Sequence, residues 1–353
     1  MTVHIILIIL IFLSYILINS LDLSEKTKKQ AFLIFVGLLL VLLAALRHQS
    51  VGTDTSDYWH DYEIGRYATF KEAFTEWGEN KAYYWLNGIF SNAGLPIQVW
   101  FGFLGVASVG PVFYLIYKYA ENPLFSVILY LSVGTYAFTL AGLKQALAIA
   151  LLIFAFIQVI NKKTLAFLIL VVLATFFHQT SIVFLVVYPL AKIKSLKIQT
   201  LIYSLMTLLA FFNAIPIIRV VLELLDNEHY EGYLNEGAQY SLVSFFIQLL
   251  MLLVCLLYAP NSKMEPHTKA AFFTMAFLGI AMQAYASSFA TMFRISVYFN
   301  SGALILMPNA LRSEPNSHHR MLLECAAMAV FLSYYMYTLS QGGSVADYRF
   351  FWQ

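Results

Sequence analysis

Residues 164–191 read TLAFLILVVLATFFHQTSIVFLVVYPLA. The stretch is long for one membrane crossing, which takes about 20 residues, and short for two. It sits in a chain of 353 residues of which 60% are apolar and 11% charged, against about a quarter charged in soluble domains. Apolar runs recur from end to end, at 3–21, 31–46, 96–119, 123–141, 143–160, 198–222, 241–259, 268–290, 294–311 and 320–340. The expected fold is an all-α polytopic membrane protein, a single integral membrane domain of about ten transmembrane helices. The first run, MTVHIILIILIFLSYILINSL, lacks a basic leader and a small-residue cleavage site, and is read as a retained span. Cys255 and Cys325 both fall inside apolar runs, which argues against a disulfide framework or a zinc site.

The lysines decide how 164–191 is counted. SEKTKKQ (24–30) is the strongest cytoplasmic signal, and it places the N-terminus outside. Alternation then puts Lys118, Lys162 and Lys163 inside. The basic run KIKSLK (192–197) belongs inside too, so 164–191 must enter and leave on one face. Two short half-helices broken at FFHQTS satisfy this, with His178 at the outer tip. One long span would instead put NSKMEPHTK (261–269) and RSEPNSHHR (312–320) outside. Irregular backbone at membrane depth is tolerated only beside protein or a water-filled cavity, so the break also hints at a site.

The same counting puts five arginines outside: Arg47, Arg66, Arg219, Arg294 and Arg349. A planar guanidinium suits phosphate or carboxylate, and snorkelling to lipid headgroups is the plainer reading. The outer loop 47–95 opens with RHQSVGTDTSDYWHDYE, where Gly52 permits a tight turn and Asp54 or Thr55 can cap a helix. Asp54 and Asp57 lie three apart and share a face at its start. The charged, aromatic remainder of 47–95 suits amphipathic helices at the interface, and a lid or lateral gate for a lipid. A second outer loop, 223–240, is acidic. Lys144 and Gln145 interrupt an apolar helix start, His178 is an ionisable group within a span, and Arg294 begins a span with Tyr298 one turn on. In the tail VADYRFFWQ, Tyr348 and Arg349 are weaker candidates.

No phosphate loop, dinucleotide fingerprint, zinc-protease motif or nucleophile elbow occurs, and no basic cluster suits nucleic acid. Two aspartates, Asp54 and Asp57, could hold a divalent metal but supply too few ligands to require one. No cofactor is expected.

In order along the chain, LRHQSVGTDTSDY (46–58), LKQALAIALLIFAFIQVINKK (143–163), LATFFHQTSIVFLVVYPLA (173–191) and FRISVYFNSGALILMP (293–308) resemble the EpsG family. The matching positions are Arg47, Gly52, Thr53, Asp54, Tyr58, Gln145, Ala148, His178, Arg294 and Tyr298. The family usually has Arg-Gln where this chain has Lys144–Gln145, so the charge survives and the fork does not. The resemblance implies a Wzy-like polymerase, similar to GT-C glycosyltransferases, in the bacterial cytoplasmic membrane. Its donor and acceptor would be polyprenyl-diphosphate-linked oligosaccharides for exopolysaccharide, capsule or O-antigen. A flippase and a chain-length regulator of the same pathway are implied neighbours. On that reading Asp54, His178 or Asp57 takes the acceptor proton. Arg47, Lys144, Gln145, Arg294, Tyr298, Tyr58 and Arg219 hold diphosphate or glycan. A transporter or flippase of lipid-linked glycans, or a membrane O-acyltransferase, is the rival class.

Overall fold

A computed structural model of the chain describes residues 1–65, 80–224, 242–286 and 292–353. Every regular element among them is helical, apart from one antiparallel bridge between Arg47 and Phe350. The chain forms two units, one of Met1–Leu185 with Leu322–Gln353 and the other of Val186–Met321.

In the first unit, α1 (Thr2–Ser20), α2 (Glu25–Ala45), α5 (Ile97–Tyr119) and α8 (Leu143–Ile160) are long and apolar enough to cross a bilayer. At about 1.5 Å per residue, even the 18 residues of α8 come close to the hydrocarbon thickness. The helix starts follow local chemistry. The Ser24 hydroxyl accepts from Thr27 N at 3.2 Å, and Glu25 in the first turn of α2 suits the helix dipole. The Asn122 side chain caps α6 (Pro123–Ser132) by accepting from Phe125 N, and Pro123 occupies a first-turn position that needs no donor. Gly134, with φ of +76°, then bends the chain 51° into α7 (Thr135–Ala141).

Cross-links fix which helix ends lie together. At one end, Lys29 Nζ donates to Ala120 O, and Asn122 Nδ2 donates to Glu324 at the start of α15 (Ser317–Ser340). At the other, the Met1 ammonium donates to Ala346 O, His48 N to Arg349 O and Ala82 N to Phe176 O. Lys26, Lys28, Lys29, Lys118, Lys162 and Lys163 all fall at helix ends of the first group, as the charge pattern requires. The N-terminus, the start of the 47–95 segment, the start of α8 and the tail share the second end.

The decisive stretch is broken where the sequence predicts. α9 (Thr164–Thr175) stops before Phe176–His178, and the 3-10 helix Gln179–Val186 with the turn Val187–Leu190 follows. Each arm is 12 residues, about 18 Å if helical, too short to cross a membrane. Phe167 on the first arm and Phe184 on the second bring their ring centres to 6.4 Å, so the chain doubles back at the break.

In the second unit, α12 (Pro266–Ala286) is the buried centre, with all of Ala270–Ala286 except Met282 inside the protein. α10 (Leu196–Leu224) and α14 (Ser301–Arg312) pack on it, and α11 (Leu242–Tyr258) packs on α14. Cys255 on α11 is buried and donates to Met307 Sδ at 3.8 Å, a packing role.

The expected count of ten spans is not reached. Among the described residues six helices are long and apolar enough, or seven if α6 and α7 form one bent span. Two expected spans differ for identifiable reasons. α12 is mostly inside protein, and its His267, Thr268, Lys269 and Gln283 keep it from ranking among the lipid-spanning candidates. The run 294–311 is broken into α13 (Met292–Val297) and α14 by turn-like backbone at Tyr298–Asn300.

Candidate functional site

Arg47 follows the last turn of α2, and no part of it reaches solvent. Its backbone is held by the tail. His48 N donates to Arg349 O and Phe351 N donates to Leu46 O, at 2.9 and 2.8 Å, and the Tyr348 hydroxyl caps α2 by donating to Leu43 O at 2.7 Å. Those last carbonyls have no partner within their own helix, which is why an extended tail can pair there. The guanidinium sits over the Phe101 ring, with Cζ 4.0 Å from the ring centre, and Nη1 donates to Ala44 O at 2.5 Å. Nε and Nη2 have no hydrogen-bond partner among the described residues. Burial pulls the guanidinium down to about 10, and the phenols of Tyr136, Tyr348, Tyr83 and Tyr58 counter this in part. It remains a cation at neutral pH.

The chain then turns at Gly52, whose φ is +100°. A Cβ there would lie 2.3 Å from Leu140 O, so the turn is pressed against the end of α7. Thr55 seals the contact by donating to Val51 O at 2.7 Å, with Leu140 O at 3.2 Å. α3 (Thr55–Ile64) starts here. Asp54 stands at its N-cap position and is partly exposed, but its carboxylate makes no capping hydrogen bond. Asp57 is exposed in the first turn. The one-turn periodicity buries Tyr58 and Tyr62, which join Tyr83, Trp100, Phe101, Leu143 and Leu147 in one cluster.

Lys144 enters this cluster from the first turn of α8. Its ammonium donates to the Tyr84 hydroxyl at 2.5 Å and lies 4.3, 5.3 and 5.4 Å from the ring centres of Tyr84, Tyr83 and Tyr58. Asp61 completes an ion pair with it, its Oδ2 3.6 Å away. Both side chains keep partial access to solvent, 19% for Lys144 and 23% for Asp61. Burial raises the Asp61 carboxyl above its ordinary range, and Lys144 opposes that shift. Tyr58 and Tyr83, beside Lys144, share their cluster with Phe101, the ring under Arg47. Gln145, next in the chain, is buried.

The hairpin tip reaches the same place. Ala82 N, in the first turn of α4 (Lys81–Asn92), donates to Phe176 O at 3.1 Å, and Phe177 packs on the tyrosine cluster. His178, partly exposed, follows directly, and its amide closes the end of α9 on Ala174 O.

Arg47, Asp54, Asp57, Tyr58, Lys144, Gln145 and His178 thus all belong to one end of the first unit. Arg294 and Tyr298 belong to the second unit, where Arg294 is exposed on α13 and Tyr298 is buried just beyond it. α13 ends at Val297, between them. The side chain of Arg219, the loop residue Arg66 and the acidic segment 225–240 lie outside the described residues. Among the described residues no three His, Cys, Asp or Glu side chains converge as a metal site, and Asp54 and Asp57 gain no third ligand.

Asp61, Tyr83, Tyr84 and Phe101 were not singled out from sequence. A signal for Asp61 existed: it sits three residues after Tyr58 and beside Tyr62, at the margin of the buried stripe of α3.

The long apolar helices, the broken hairpin and a cation cluster at one end define a multi-pass helical membrane protein with a built polar site. The EpsG family model matches residues 30–350, nearly the whole chain, and the chain belongs to that family. This makes it a polysaccharide-polymerase-like membrane protein of polysaccharide biosynthesis. Searches of curated proteins and of solved structures returned no match.

Proposed function

We propose that this protein is an inverting glycosyltransferase that polymerises polyprenyl-diphosphate-linked oligosaccharide units at the external face of the bacterial cytoplasmic membrane. The observation that carries the reading is the guanidinium of Arg47. It is buried and still charged, is pinned by a strand-like tail, and has two nitrogens without hydrogen-bond partners among the described residues. A buried cation with unspent donors is costly unless an anion comes to it. Lys144 supplies a second cation across Tyr58 and Tyr83.

In this reading the diphosphate of the donor is held by Arg47 and Lys144, and Arg294 is a further candidate ligand by its sequence motif. Gln145, Tyr58, Tyr298 and Arg219 contact diphosphate or glycan. Neutralising the diphosphate makes it a good leaving group, so the bond from the anomeric carbon to phosphate oxygen can break without a strong acid. The acceptor sugar hydroxyl attacks the opposite face of that carbon and the configuration inverts. Its proton passes to Asp54, which stands partly exposed at the start of α3, or to His178 or Asp57. The segment 47–95 forms the outer cover, and both termini lie outside. A flippase delivers the donor, and a chain-length regulator acts on the product.

The test is to supply purified lipid-linked repeat units to the protein in liposomes and separate the products on a gel. A ladder of lengthened glycans is expected. Movement of the lipid across the bilayer without lengthening would overturn the reading in favour of transport.

A further inference from the structure

The polymerase reading leaves Asp61 without a task, yet Asp61 is the carboxylate that touches Lys144. Three tyrosine rings and the Tyr84 hydroxyl also surround the ammonium. Among the described residues Asp61 is the carboxylate ion-paired with it, so it holds a contact that an arriving anion would compete for. A diphosphate and Asp61 cannot both make that contact without placing two like charges against each other. We propose that Asp61 is a resident counter-ion of the site, a positioning residue that holds Lys144 in the tyrosine cage until the diphosphate displaces it and that returns when the diphosphate leaves.

The 3.6 Å separation fits this exchange. It is an ion pair longer than a strong charge-assisted hydrogen bond of about 2.8 Å, so it is readily given up. The short bond from Lys144 to Tyr84 is compatible with a bound anion, because the hydroxyl is neutral and only orients the ammonium. The partial access of both side chains gives the anion a route. Asp61 then serves turnover in two ways. It keeps Lys144 from binding stray anions tightly, and it competes with the lipid diphosphate product for the cation, which speeds release.

This inference rests on the reading of the cluster as a diphosphate site, and its test does not require polymerisation. Inorganic pyrophosphate is titrated into the full chain in lipid nanodiscs by calorimetry. Asp61→Asn should bind pyrophosphate about fivefold more tightly than wild type, the range a partly exposed pair commands. Lys144→Ala should bind more weakly, and in its background the gain from Asp61→Asn should shrink to that of Glu63→Gln, which removes one exposed charge from the same helix. Thermal melting confirms that each variant is folded, and Asp61→Glu should restore wild-type affinity. The proposal is overturned if wild type does not bind pyrophosphate, if Asp61→Asn binds no more tightly, or if its gain persists in full without Lys144. Binding with this pattern and no glycan ladder keeps the counter-ion and removes the polymerase. A ladder with Asp61→Asn binding no more tightly does the reverse.

Discussion

The guanidinium carbon of Arg47 sits over the Phe101 ring, 4.0 Å from its centre, and this contact limits where Arg47 can offer its remaining donors. A planar cation uses the ring as a flat support, and an ammonium cannot.

Arg47→Lys should therefore cost activity out of proportion to its charge. We expect polymerisation in liposomes to fall about a hundredfold, the order seen when one preorganised donor to a developing anion is lost. A loss of less than threefold would remove Arg47 from the diphosphate site.

Gly52 combines a φ of +100° with a carbonyl 2.3 Å from where its Cβ would stand. Gly52→Ala should destabilise the first unit by about 2 kcal/mol or more and displace the start of α3. Gly94→Ala, at φ of +68° with nothing within 4 Å, meets no such clash and should cost about 1 kcal/mol. Equal losses of melting temperature in the two variants would refute the close-approach argument.

Asp54→Asn and His178→Ala separate the candidate bases. Asp54→Asn should lower the maximal rate by about a hundredfold with little change in donor affinity, since the carboxylate is exposed enough to meet an acceptor and makes no cap. Full activity in both variants would send the search for the base elsewhere.

Asp61 gives the pH dependence its sign. Burial raises its folded-state value above the ordinary 3.8, against the pull of Lys144 and His60 and with the push of Asp57. A carboxyl raised in this way favours the fold most below its unfolded value and loses that contribution as pH rises through the folded value. At pH 7, then, Asp61→Asn should melt no lower than wild type. Its advantage in pyrophosphate binding should vanish as pH falls, and at a pH above 3.8, where an ordinary carboxylate would still be charged. Calorimetry of both proteins across pH 4–7 checks this.

Much of this was legible in the chain. The hairpin followed from Lys162 and Lys163 on one side and the run 192–197 on the other, because charge placement outranks hydropathy when a stretch has an ambiguous length. Arg47 and Lys144 were legible because a cation beside an apolar run needs a reason. Asp61 was not, since Asp54, Asp57 and Asp61, at the cap and within α3, look alike until the helix is docked, and only docking turns one toward Lys144. For Arg294 and Tyr298 the spacing sets a common face only if the helix continues, and α13 ends at Val297 between them.

The pairing of residues 46–48 with 349–351 also sets the order of events in biosynthesis. Arg47 enters the membrane early, but its backbone partner is made about 300 residues later. Every nascent chain shorter than that carries an unpinned guanidinium and an open end of α2. The pairing is complete only once residues 349–351 have been made, so a product truncated before them lacks this hold on Arg47.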